Sequence, residues 1–481
     1  MKIKKAPSES LIIALLIGLL LVSCQTRRQK TENIEEPPEI PSVLNQVLNS
    51  RKLKVITDYN TVNYYIYRGE PMGYQYELLK AFTDHLGVRL ELRIENNLSK
   101  AKEELSVGKS DLIALGMTVT GERMKRFDFS EPILITRQVL VQRLPKNWNR
   151  MNTRDEIEKD LIRTSLELAR KEIHVQSGSI YKKRLEILAD EIGDSIYIVE
   201  DKRDVEELIA AVSKGDIDFT VADEHIASVV LRNFPNLDIK TAVSFDQKIA
   251  WALQKEENKD LLNEINLWLK SYLSTNEARL LYSKYFSDQV RNRSRSEYHS
   301  FTGGKLSPYD DMIKKTANEI NWDWRLLASL IYQESEFKHN SYSWMGAFGL
   351  MQLMPAVMEQ FGIDTTSYPE EHIRVGGHYL RYLDKQIPET VKLPQERIKF
   401  VLAAYNAGIA HVLDARRLAV KYNKDQNVWT ENVDFFLRNK SKPTFYNDPV
   451  SYYGYVRGEE TYLFVEQILD RYEHYKNLIP D

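Results

Sequence analysis

The hydrophobic periodicity of the chain changes across one polar segment, residues 287–307. Before it, short apolar runs at 53–56, 112–115 and 139–141 alternate with helical patterns, which is typical of a βα sheet domain. The pattern over 260–286, just before this segment, is helical. After the segment, most of the sequence has helical periodicity, and Ser307 and Asp323 are the predicted caps of the first two helices. Because 481 residues are too many for a typical single core, we predict two domains, one α/β and one mainly α.

The same changes in composition set the predicted boundaries. The segment after Cys24 is charged and rich in proline without periodic apolar residues, which is typical of disorder. We expect a signal peptide at 1–23, a lipidated cysteine and flexible tether at 24–46, the α/β domain at 47–290, a linker at 291–306 and the helical domain at 307–481.

The N-terminus has the pattern of an export signal. Lysines precede an uncharged run at 11–22, which is shorter than the about 20 residues needed to cross a bilayer but fits a secretory signal. The run ends in Leu-Val-Ser-Cys, which resembles a bacterial lipoprotein cleavage box, and Cys24 is the only cysteine. A buried structural cysteine is the alternative, but a cysteine next to a signal run is a poor core candidate. We therefore expect lipidation of Cys24 and anchoring to a membrane.

The charge balance and residue types exclude other partners. The chain has 66 basic and 69 acidic residues, a formal net charge of −3, so it lacks the basic footprint of a nucleic-acid-binding protein. One cysteine in the signal region and scattered histidines indicate no metal site. We expect no nucleic acid, no metal and no other cofactor.

A carboxylate is predicted on the buried face of a helix. Leu327, Leu330, Ile331 and Glu334 follow one another at i, i+3, i+4 and i+7, so they share one stripe. Loss of water disfavours the charged form of a carboxyl group and raises its pKa, which suits a general acid near neutral pH. The alternative is a salt-bridged or helix-capping glutamate.

The segment that follows has the composition of a ligand-binding loop. Gly346, Gly349 and Pro355 punctuate a short apolar run that carries one amide, Gln352. Such a pattern is expected where backbone approaches a ligand closely and one side chain forms a hydrogen bond with it. The alternative is an ordinary tight turn in a helical domain.

Four short blocks follow one another along the helical part. They are ESEF at 334–337, GAFGLMQLMP at 346–355, AYNAG at 404–408 and ETYLFV at 460–465. In sequence and order they resemble the blocks of the lysozyme-like lytic transglycosylases. The family pattern has proline, alanine and threonine where His339, Ser341 and Val357 stand, and many members have arginine at the position of Tyr462. These departures affect loop detail and distal sugar contacts but leave the proton donor in place.

The resemblance implies a lysozyme-like domain and a chemistry. In this family the glutamate, here Glu334, protonates the glycosidic oxygen of the β-1,4 bond between N-acetylmuramic acid and N-acetylglucosamine. It then deprotonates the muramyl C6 hydroxyl, which closes a 1,6-anhydro ring without water. Gln352 and the loop around Met351 are implied to contact the sugar acetamides, and Tyr405 and Asn406 to line the cleft.

The block that ends the pattern is less specific. Glu460 is implied as a further substrate contact, with a solvated charge on a helix face as the alternative. Before it stand Tyr452, Tyr453 and Tyr455, which are expected either to stack on sugar faces or to pack in the core.

A second catalytic carboxylate is not apparent. A two-carboxylate glycosidase needs the second group across the sugar from the first. Glu336 lies roughly opposite Glu334 if the helix continues, so the two could not share a site. The leading interpretation is a peptidoglycan lytic transglycosylase. The alternatives are a lysozyme-type hydrolase that uses water and a tethered solute receptor whose C-terminal domain only binds the wall.

Markers of another family lie in the α/β part. They are GYQYEL at 73–78, GMT at 116–118, TGER at 120–123, FSEP at 129–132 and GDID at 215–218. They resemble the solute-binding proteins for polar amino acids, which implies a two-lobed domain of the periplasmic-binding-protein kind. The resemblance implies that Arg123, with Thr118 nearby, grips a ligand carboxylate and that Asp223 receives an amino group. The alternative is that these are surface charges in a scaffold that has lost its ligand, and only Tyr59 or Tyr64 is a candidate for an aromatic clamp.

The order of the two parts, with Arg457-Gly458 before the last block, resembles the membrane-bound lytic murein transglycosylase F group. This implies that peptidoglycan strands are the substrate. Because a binding domain is joined to a lytic domain, we also expect an amino-acid or muropeptide ligand of the first domain to regulate catalysis. Gln25 follows the predicted lipidated cysteine, and by resemblance to proteobacterial lipoprotein sorting it favours the periplasmic face of the outer membrane.

Overall fold

The computed structural model describes residues 42–151, 153–287, 296–301 and 303–480. The predicted signal peptide, Cys24 and the tether up to residue 41 lie outside these ranges. Within them, no helix combines the length and the apolar character needed to span a bilayer.

The N-terminal part is an α/β domain of two lobes, as predicted. Its elements are α1 (Val43–Ser50), β1 (Lys52–Thr57), β2 (Tyr65–Tyr67), β3 (Glu70–Met72), α2 (Tyr74–Leu86), β4 (Arg89–Ile94), α3 (Leu98–Ser106), β5 (Leu112–Thr118), β6 (Phe127–Phe129), β7 (Leu134–Thr136), β8 (Gln138–Arg143), α4 (Arg154–Glu158), β9 (Glu172–Gln176), α5 (Ile180–Ile192), β10 (Tyr197–Asp201), α6 (Val205–Lys214), β11 (Phe219–Asp223), α7 (Glu224–Leu231), β12 (Leu237–Ala242), β13 (Gln247–Gln254), α8 (Lys259–Tyr272) and α9 (Asn276–Phe286). The first lobe has the strand order β4-β1-β5-β13-β6, with β7 also paired to β13, and the second lobe has the order β10-β9-β11-β8-β12. The chain crosses between the lobes twice, at 136–138 and at 242–247.

The strands form where the sequence has apolar runs, because sheets with covered faces need apolar residues on both sides. In β1, Leu53, Val55 and Ile56 are fully buried. This strand pairs in parallel with both β4 and β5. The predicted alternation of strands and helices is therefore confirmed for the first lobe.

Two predicted boundaries in this domain are corrected. Residues 43–46 begin helix α1 instead of ending the tether. The helical stretch predicted over 260–286 is two helices, because Thr275 caps α9 by accepting a hydrogen bond from the amide of Ala278.

The C-terminal part is mainly helical, also as predicted. Its helices are α10 (Asp310–Ile320), α11 (Trp324–Ser335), α12 (Pro355–Phe361), α13 (Pro369–Gln386), α14 (Pro394–Ala407), α15 (Ile409–Lys421), α16 (Asp434–Asn439), α17 (Pro443–Tyr446) and α18 (Gly458–Leu478), with a π-helical turn at Trp429–Val433. Helix α11 packs against α10 and α18, and its residues 324–331 are all buried. It is therefore the central helix of the domain.

The starts of two helices test the predicted caps. Asp323 caps α11 as predicted, accepting a hydrogen bond from the Arg325 amide at 2.9 Å. The predicted cap at Ser307 is wrong, because helix α10 begins at Asp310. The Asp310 carboxylate instead accepts hydrogen bonds from the amides of Leu306 and Ser307, at 2.9 and 2.8 Å, and holds the chain before the helix in a turn.

The two domains share a buried contact. Tyr64 and Ile66 of the first lobe are fully buried in the hydrophobic core of the helical domain. The Tyr64 hydroxyl lies 2.6 Å from Nδ1 of His474 on α18. The α/β domain therefore contributes side chains to the core of its neighbour.

The turn between β2 and β3 contacts the end of the central helix. The Tyr475 hydroxyl donates a hydrogen bond to the Gly69 carbonyl at 2.6 Å. Gly69 has φ of +82°, and a Cβ there would lie 2.6 Å from the Phe337 ring and 2.7 Å from the Tyr332 ring. Only glycine fits this turn, and the turn sits directly against the end of α11.

Part of the predicted linker is bound to the first lobe. The amide of Ser300 donates to the Ile66 carbonyl, and the amide of Ile66 donates to the Ser300 hydroxyl, both at 2.8 Å. The His299 ring stacks on Tyr65 with ring centres 4.4 Å apart. Residues 296–301 therefore extend the β2 edge and do not behave as a free linker, while 288–295 lie outside the described residues.

Candidate active site and ligand cavity

Glu334 is the last residue of the stripe on helix α11 that faces the core of the helical domain. Leu327, Leu330 and Ile331 are fully buried, as predicted. Glu334 follows them on the same stripe in the last turn and is half-buried. The helix therefore presents one carboxyl group at the edge of an apolar core.

The helix ends directly after this glutamate. Glu336 and Phe337 have φ of +51° and +61°, which ends the helix at Ser335. The Ser335 hydroxyl donates to the Leu350 carbonyl at 2.8 Å and fixes the helix end to the following loop. Glu336 is exposed and pairs with Lys338 at 2.6 Å, so its carboxylate is engaged at the surface.

The electrostatic surroundings of Glu334 favour its neutral form. Within the described residues, its carboxyl group has no ion-pair or hydrogen-bond partner. Burial raises the pKa of Glu334 to about 8, and no neighbouring charge contributes to the shift. The carboxyl group is therefore protonated at neutral pH, and the alternative of a salt-bridged or capping glutamate is not supported.

The glycine-bearing loop depends on backbone geometry. Gly349 has φ of +83°, and a Cβ there would lie 3.0 Å from Nδ1 of His372. Gln352 also has a positive φ, +46°. Its side-chain amide donates to the carbonyls of Ser341 and Gly349 at 3.0 and 2.9 Å. The Gln352 nitrogen thus holds the loop together, and only the carboxamide oxygen remains for a substrate donor.

Met351 is a packing residue of this loop. The whole residue is fully buried. Its side chain packs so closely over Gly376 of α13 that a Cβ there would lie 2.1 Å from the Met351 sulfur. The predicted sugar contact of Met351 is therefore wrong for the residue itself, and Gln352 is left as the candidate of this loop.

Tyr405 and Asn406 lie at the end of α14 and join the other blocks. The Tyr405 hydroxyl donates to the Met351 carbonyl at 2.6 Å. Burial and then the charge of Glu334 raise the pKa of Tyr405 well above its usual value, so the two side chains are neighbours. Asn406 accepts a hydrogen bond from the Thr461 hydroxyl at 2.8 Å. Single hydrogen bonds therefore connect all four sequence blocks.

Glu460 lies apart from this network. It is exposed in the first turn of α18, with its carboxylate 3.4 Å from the Arg457 guanidinium. The solvated helix-face charge, and not the substrate contact, fits this position. Thr461, the next residue, donates the hydrogen bond to Asn406 of the AYNAG block. Nothing in the sequence distinguished Thr461 as a residue of the site.

The three tyrosines before α18 are displayed on the surface. Tyr452, Tyr453 and Tyr455 are 69%, 57% and 56% exposed, which excludes core packing. The carboxylate of Asp414 accepts hydrogen bonds from the amides of Tyr452 and Tyr453, both at 2.9 Å. Asp414 is itself paired with the fully buried Lys440. The tyrosine segment is thus held by a buried ion pair.

A cavity of about 530 Å³ lies between the two lobes, and it contains all three predicted ligand residues. Arg123 donates to the Thr118 carbonyl at 2.9 Å. Tyr181 of the second lobe donates to Oδ2 of Asp223 at 3.2 Å. Burial raises the pKa of Asp223 to about 6, although the Tyr181 hydrogen bond and the Arg123 charge act in the opposite direction. Arg123 and Asp223 therefore share a cavity and are not unrelated surface charges.

Of the two candidates for an aromatic clamp, only Tyr59 lines the cavity. Tyr64 is fully buried in the helical domain against His474, so its candidacy is wrong. Tyr181 lines the cavity as well and was missed, because nothing in its local sequence marks it as a ligand-facing residue.

Two family descriptions match the two domains. Residues 53–288 match the bacterial extracellular solute-binding proteins, family 3. Residues 311–428 match the transglycosylase SLT domain, which includes Glu334, the glycine-bearing loop and Tyr405. The two matches follow the order of the two domains in the structure.

Relatives similar over most of the chain decide the family. Membrane-bound lytic murein transglycosylase F of Desulfosudis oleivorans is 34% identical over 426 residues, which cover 88% of this chain and 89% of that protein. The chain belongs to this family. The proteins of the same name from Photobacterium profundum and Erwinia tasmaniensis are 29% and 31% identical over 98% and 88% of this chain, and 86% and 82% of their own. The chain is therefore a lytic murein transglycosylase that acts on peptidoglycan, with a solute-binding domain before its catalytic domain.

Solved structures of binding proteins are also similar to part of the chain. A mutant of ArgBP from T. maritima is 25% identical with a TM-score of 0.42, covering 51% of this chain and 99% of that one. An ancestral arginine-binding protein bound to arginine is 24% identical with a TM-score of 0.41, covering 49% and 98%.

The raised pKa of Glu334 predicts how stability depends on pH. The pKa is 4.5 for an ordinary glutamate and about 8 here, so the folded protein binds the extra proton between these values and loses stability as pH rises through them. Glu334→Gln removes this loss. We expect its melting temperature, relative to wild type, to rise by at least about 2 °C between pH 5 and pH 8.5. Calorimetric melting of both proteins, with exposed Glu336→Gln as control, measures this, and a pH-independent difference would contradict a raised pKa.

Proposed function

We propose that Glu334 is the single acid and base of a non-hydrolytic cleavage. Its carboxyl group is protonated at neutral pH and lies beside Tyr405, so it can deliver a proton to the oxygen of the glycosidic bond. The resulting carboxylate then accepts the proton of the muramyl C6 hydroxyl, whose oxygen closes a 1,6-anhydro ring on C1. The reaction breaks the β-1,4 bond between N-acetylmuramic acid and N-acetylglucosamine and consumes no water.

The observation that carries this proposal is the isolation of the Glu334 carboxyl group. A lysozyme-type hydrolase needs a second carboxylate that faces the first, as nucleophile or as base. Burial is the one cause of the raised pKa of Glu334, and the charge of no other described carboxylate contributes to it. Glu336 is turned to the surface by the end of the helix and is held by Lys338.

Peptidoglycan binding in the proposed site involves three residues. The carboxamide oxygen of Gln352, in the loop around Met351, is available to the sugar acetamides. Tyr405 and Asn406 line the cleft beside the acid, where their hydrogen bonds to Met351 and Thr461 hold them in place.

Paired glutamine substitutions test the role of Glu334. We expect Glu334→Gln to lower sacculus lysis by at least about 100-fold, because it removes the proton carrier but keeps the shape. Glu336→Gln changes the same group two residues on, and it should stay within about twofold of wild type. Turbidity of purified sacculi measures both. Equal losses of lysis activity in the two folded variants would show that the assignment of the acid to Glu334 is wrong.

The products of the wild-type enzyme separate the two chemistries. Mass spectrometry of released muropeptides should show anhydromuramic ends, which are lighter than reducing ends by one water. Reducing ends from an enzyme that still requires Glu334 would make it a hydrolase. Binding of sacculi without any release would favour the tethered receptor.

We also propose that Cys24 is lipidated and holds the enzyme at the periplasmic face of the outer membrane. The support is the lipoprotein-like box before Cys24 and the Gln25 that follows it.

Removal of the thiol tests the anchor. Cys24→Ser should move the enzyme from the outer-membrane fraction to the soluble fraction, or leave it unprocessed. The variant lacks the thiol that carries the lipid, and stable anchoring needs more than one acyl chain. Fractionation with immunoblotting measures this. A correctly cleaved Cys24→Ser protein that still sediments with membranes would exclude lipidation as the anchor.

We further propose that the inter-lobe cavity binds an amino acid or muropeptide that regulates lysis. Arg123 offers a guanidinium for a carboxylate and Asp223 an acceptor for an ammonium group, with Thr118 beside them. A ligand held by both lobes favours one lobe arrangement. The contact of Gly69 with Tyr475 carries that arrangement to the helical domain.

Wall peptides should change the lysis rate several-fold, since allosteric coupling is typically about 1–3 kcal/mol. Arg123→Ala should abolish both binding and the rate change. Gly69→Ala should keep binding but reduce the rate change, because its Cβ overlaps Phe337 and Tyr332. Gly87→Ala is the matched control, with similar φ but open space around its Cβ. Calorimetry and lysis assays on the full chain measure these effects, and peptide binding without any rate change would leave the domain uncoupled.

A further inference from the structure

The inter-lobe cavity has an excess of acidic side chains. Its lining contains five carboxylates and two cationic side chains. The carboxylates are Asp58, Glu95, Asp204, Glu206 and Asp223, and the cations are Arg123 and Lys202. Two of the carboxylates are already engaged at the cavity wall. Glu95 lies 3.9 Å from Lys100 and accepts from the amide of Asn97, and Asp204 caps helix α6.

Asp223 has an unused acceptor inside the cavity. The side chain is only 7% exposed, and its Oδ1 has no hydrogen-bond partner within the described residues. A buried polar atom without a partner costs about 1–3 kcal/mol, so a donor from a ligand is expected there. This atom points to a ligand independently of the number of acidic residues.

Asp58 and Glu206 face the cavity from opposite lobes, and only neutral groups touch them. Asp58 accepts hydrogen bonds from the side-chain amides of Asn60 and Asn63, at 2.6 and 2.9 Å. Glu206 accepts from the amide and hydroxyl of Thr61, at 2.7 and 2.9 Å. Neither carboxylate forms an ion pair with another described residue.

The two carboxyl groups line one cavity and interact electrostatically. Burial is the main cause that raises the pKa of Glu206 to about 8, the charges of Asp204 and then Asp58 act in the same direction, and the hydrogen bonds from Thr61 act against them. Burial also raises the pKa of Asp58 to about 6. A cation between them would offset both the desolvation and the mutual repulsion.

We propose that the cavity selects a ligand with a second cationic group, a diamino acid or basic amino acid that is free or at the end of a short peptide. Its α-carboxylate meets Arg123, and its second ammonium or guanidinium lies between Asp58 and Glu206. Oδ1 of Asp223 accepts from its α-ammonium or, at the C-terminal end of a peptide, from the peptide N–H that replaces the ammonium. The inference rests on the proposed role of this domain as a ligand sensor and adds the chemical class of the ligand. Because the second cation contacts both lobes, it also favours their closed arrangement.

The test uses ligand pairs that differ in one amino group. Calorimetry on the detergent-solubilised full chain compares lysine with norleucine, and alanyl-lysine with alanyl-norleucine. We expect each cationic member to bind at least tenfold more tightly than its partner. Tighter binding of lysine than of the dipeptide identifies free amino acids as the source, and the reverse identifies wall fragments.

Three variants locate the second cation. Asp58→Asn and Glu206→Gln should each weaken lysine binding at least tenfold and leave norleucine binding within threefold, which also shows that the variants are folded. Glu95→Gln removes a charge from the same cavity wall, away from the proposed contact. It should change the affinity for neither lysine nor norleucine. Equal affinity for lysine and norleucine would overturn this inference and leave the sensor role standing. If neither the four ligands nor wall peptides bind, the sensor role is wrong, and this inference is wrong with it.

Discussion

Glu334 keeps its proton because burial disfavours its charged form and, in the part of the chain that the structure describes, no cation pairs with its carboxyl group. The rest of the helical domain maintains this state. Helix α11 is buried along residues 324–331, so the side chains that precede the acid are packed in the core. The loop beside the acid is held by neutral contacts, such as those of Ser335 and Tyr405 with main-chain carbonyls. A cation in place of any of these would lower the pKa of the acid and release its proton too early.

The position of Glu334 could be predicted from the sequence because it depends on one helix. Its stripe of Leu327, Leu330 and Ile331 requires only that the helix has a buried face. The cap at Asp323 is local in the same way. The βα character of the first lobe was also readable, because β1 and β5 are separate apolar runs. The division into two lobes was implied only by the resemblance to solute-binding proteins.

The contributions of Met351 and Tyr64 could not be predicted, because they depend on residues far along the chain. The Met351 side chain is buried by Gly376 on another helix, where a larger residue would have forced it out. Tyr64 stands in the α/β domain in sequence, but it is buried by the last helix of the other domain. Glu206 and Asp58 escaped notice for the same reason, since their significance arises only when the two lobes face each other.

The loop at 58–64 links the state of the lobes to the contact between the domains. Thr61 donates two hydrogen bonds to Glu206 of the second lobe, and Tyr64, three residues on, meets His474 of the helical domain. Three residues span at most about 10 Å, so the two contacts cannot move far apart. Opening of the lobes must therefore break the bonds between Thr61 and Glu206 or draw Tyr64 away from the core it occupies. In the first case the loop stays with the helical domain and is released from the second lobe. In the second case the opening of the cavity changes the packing of the catalytic domain.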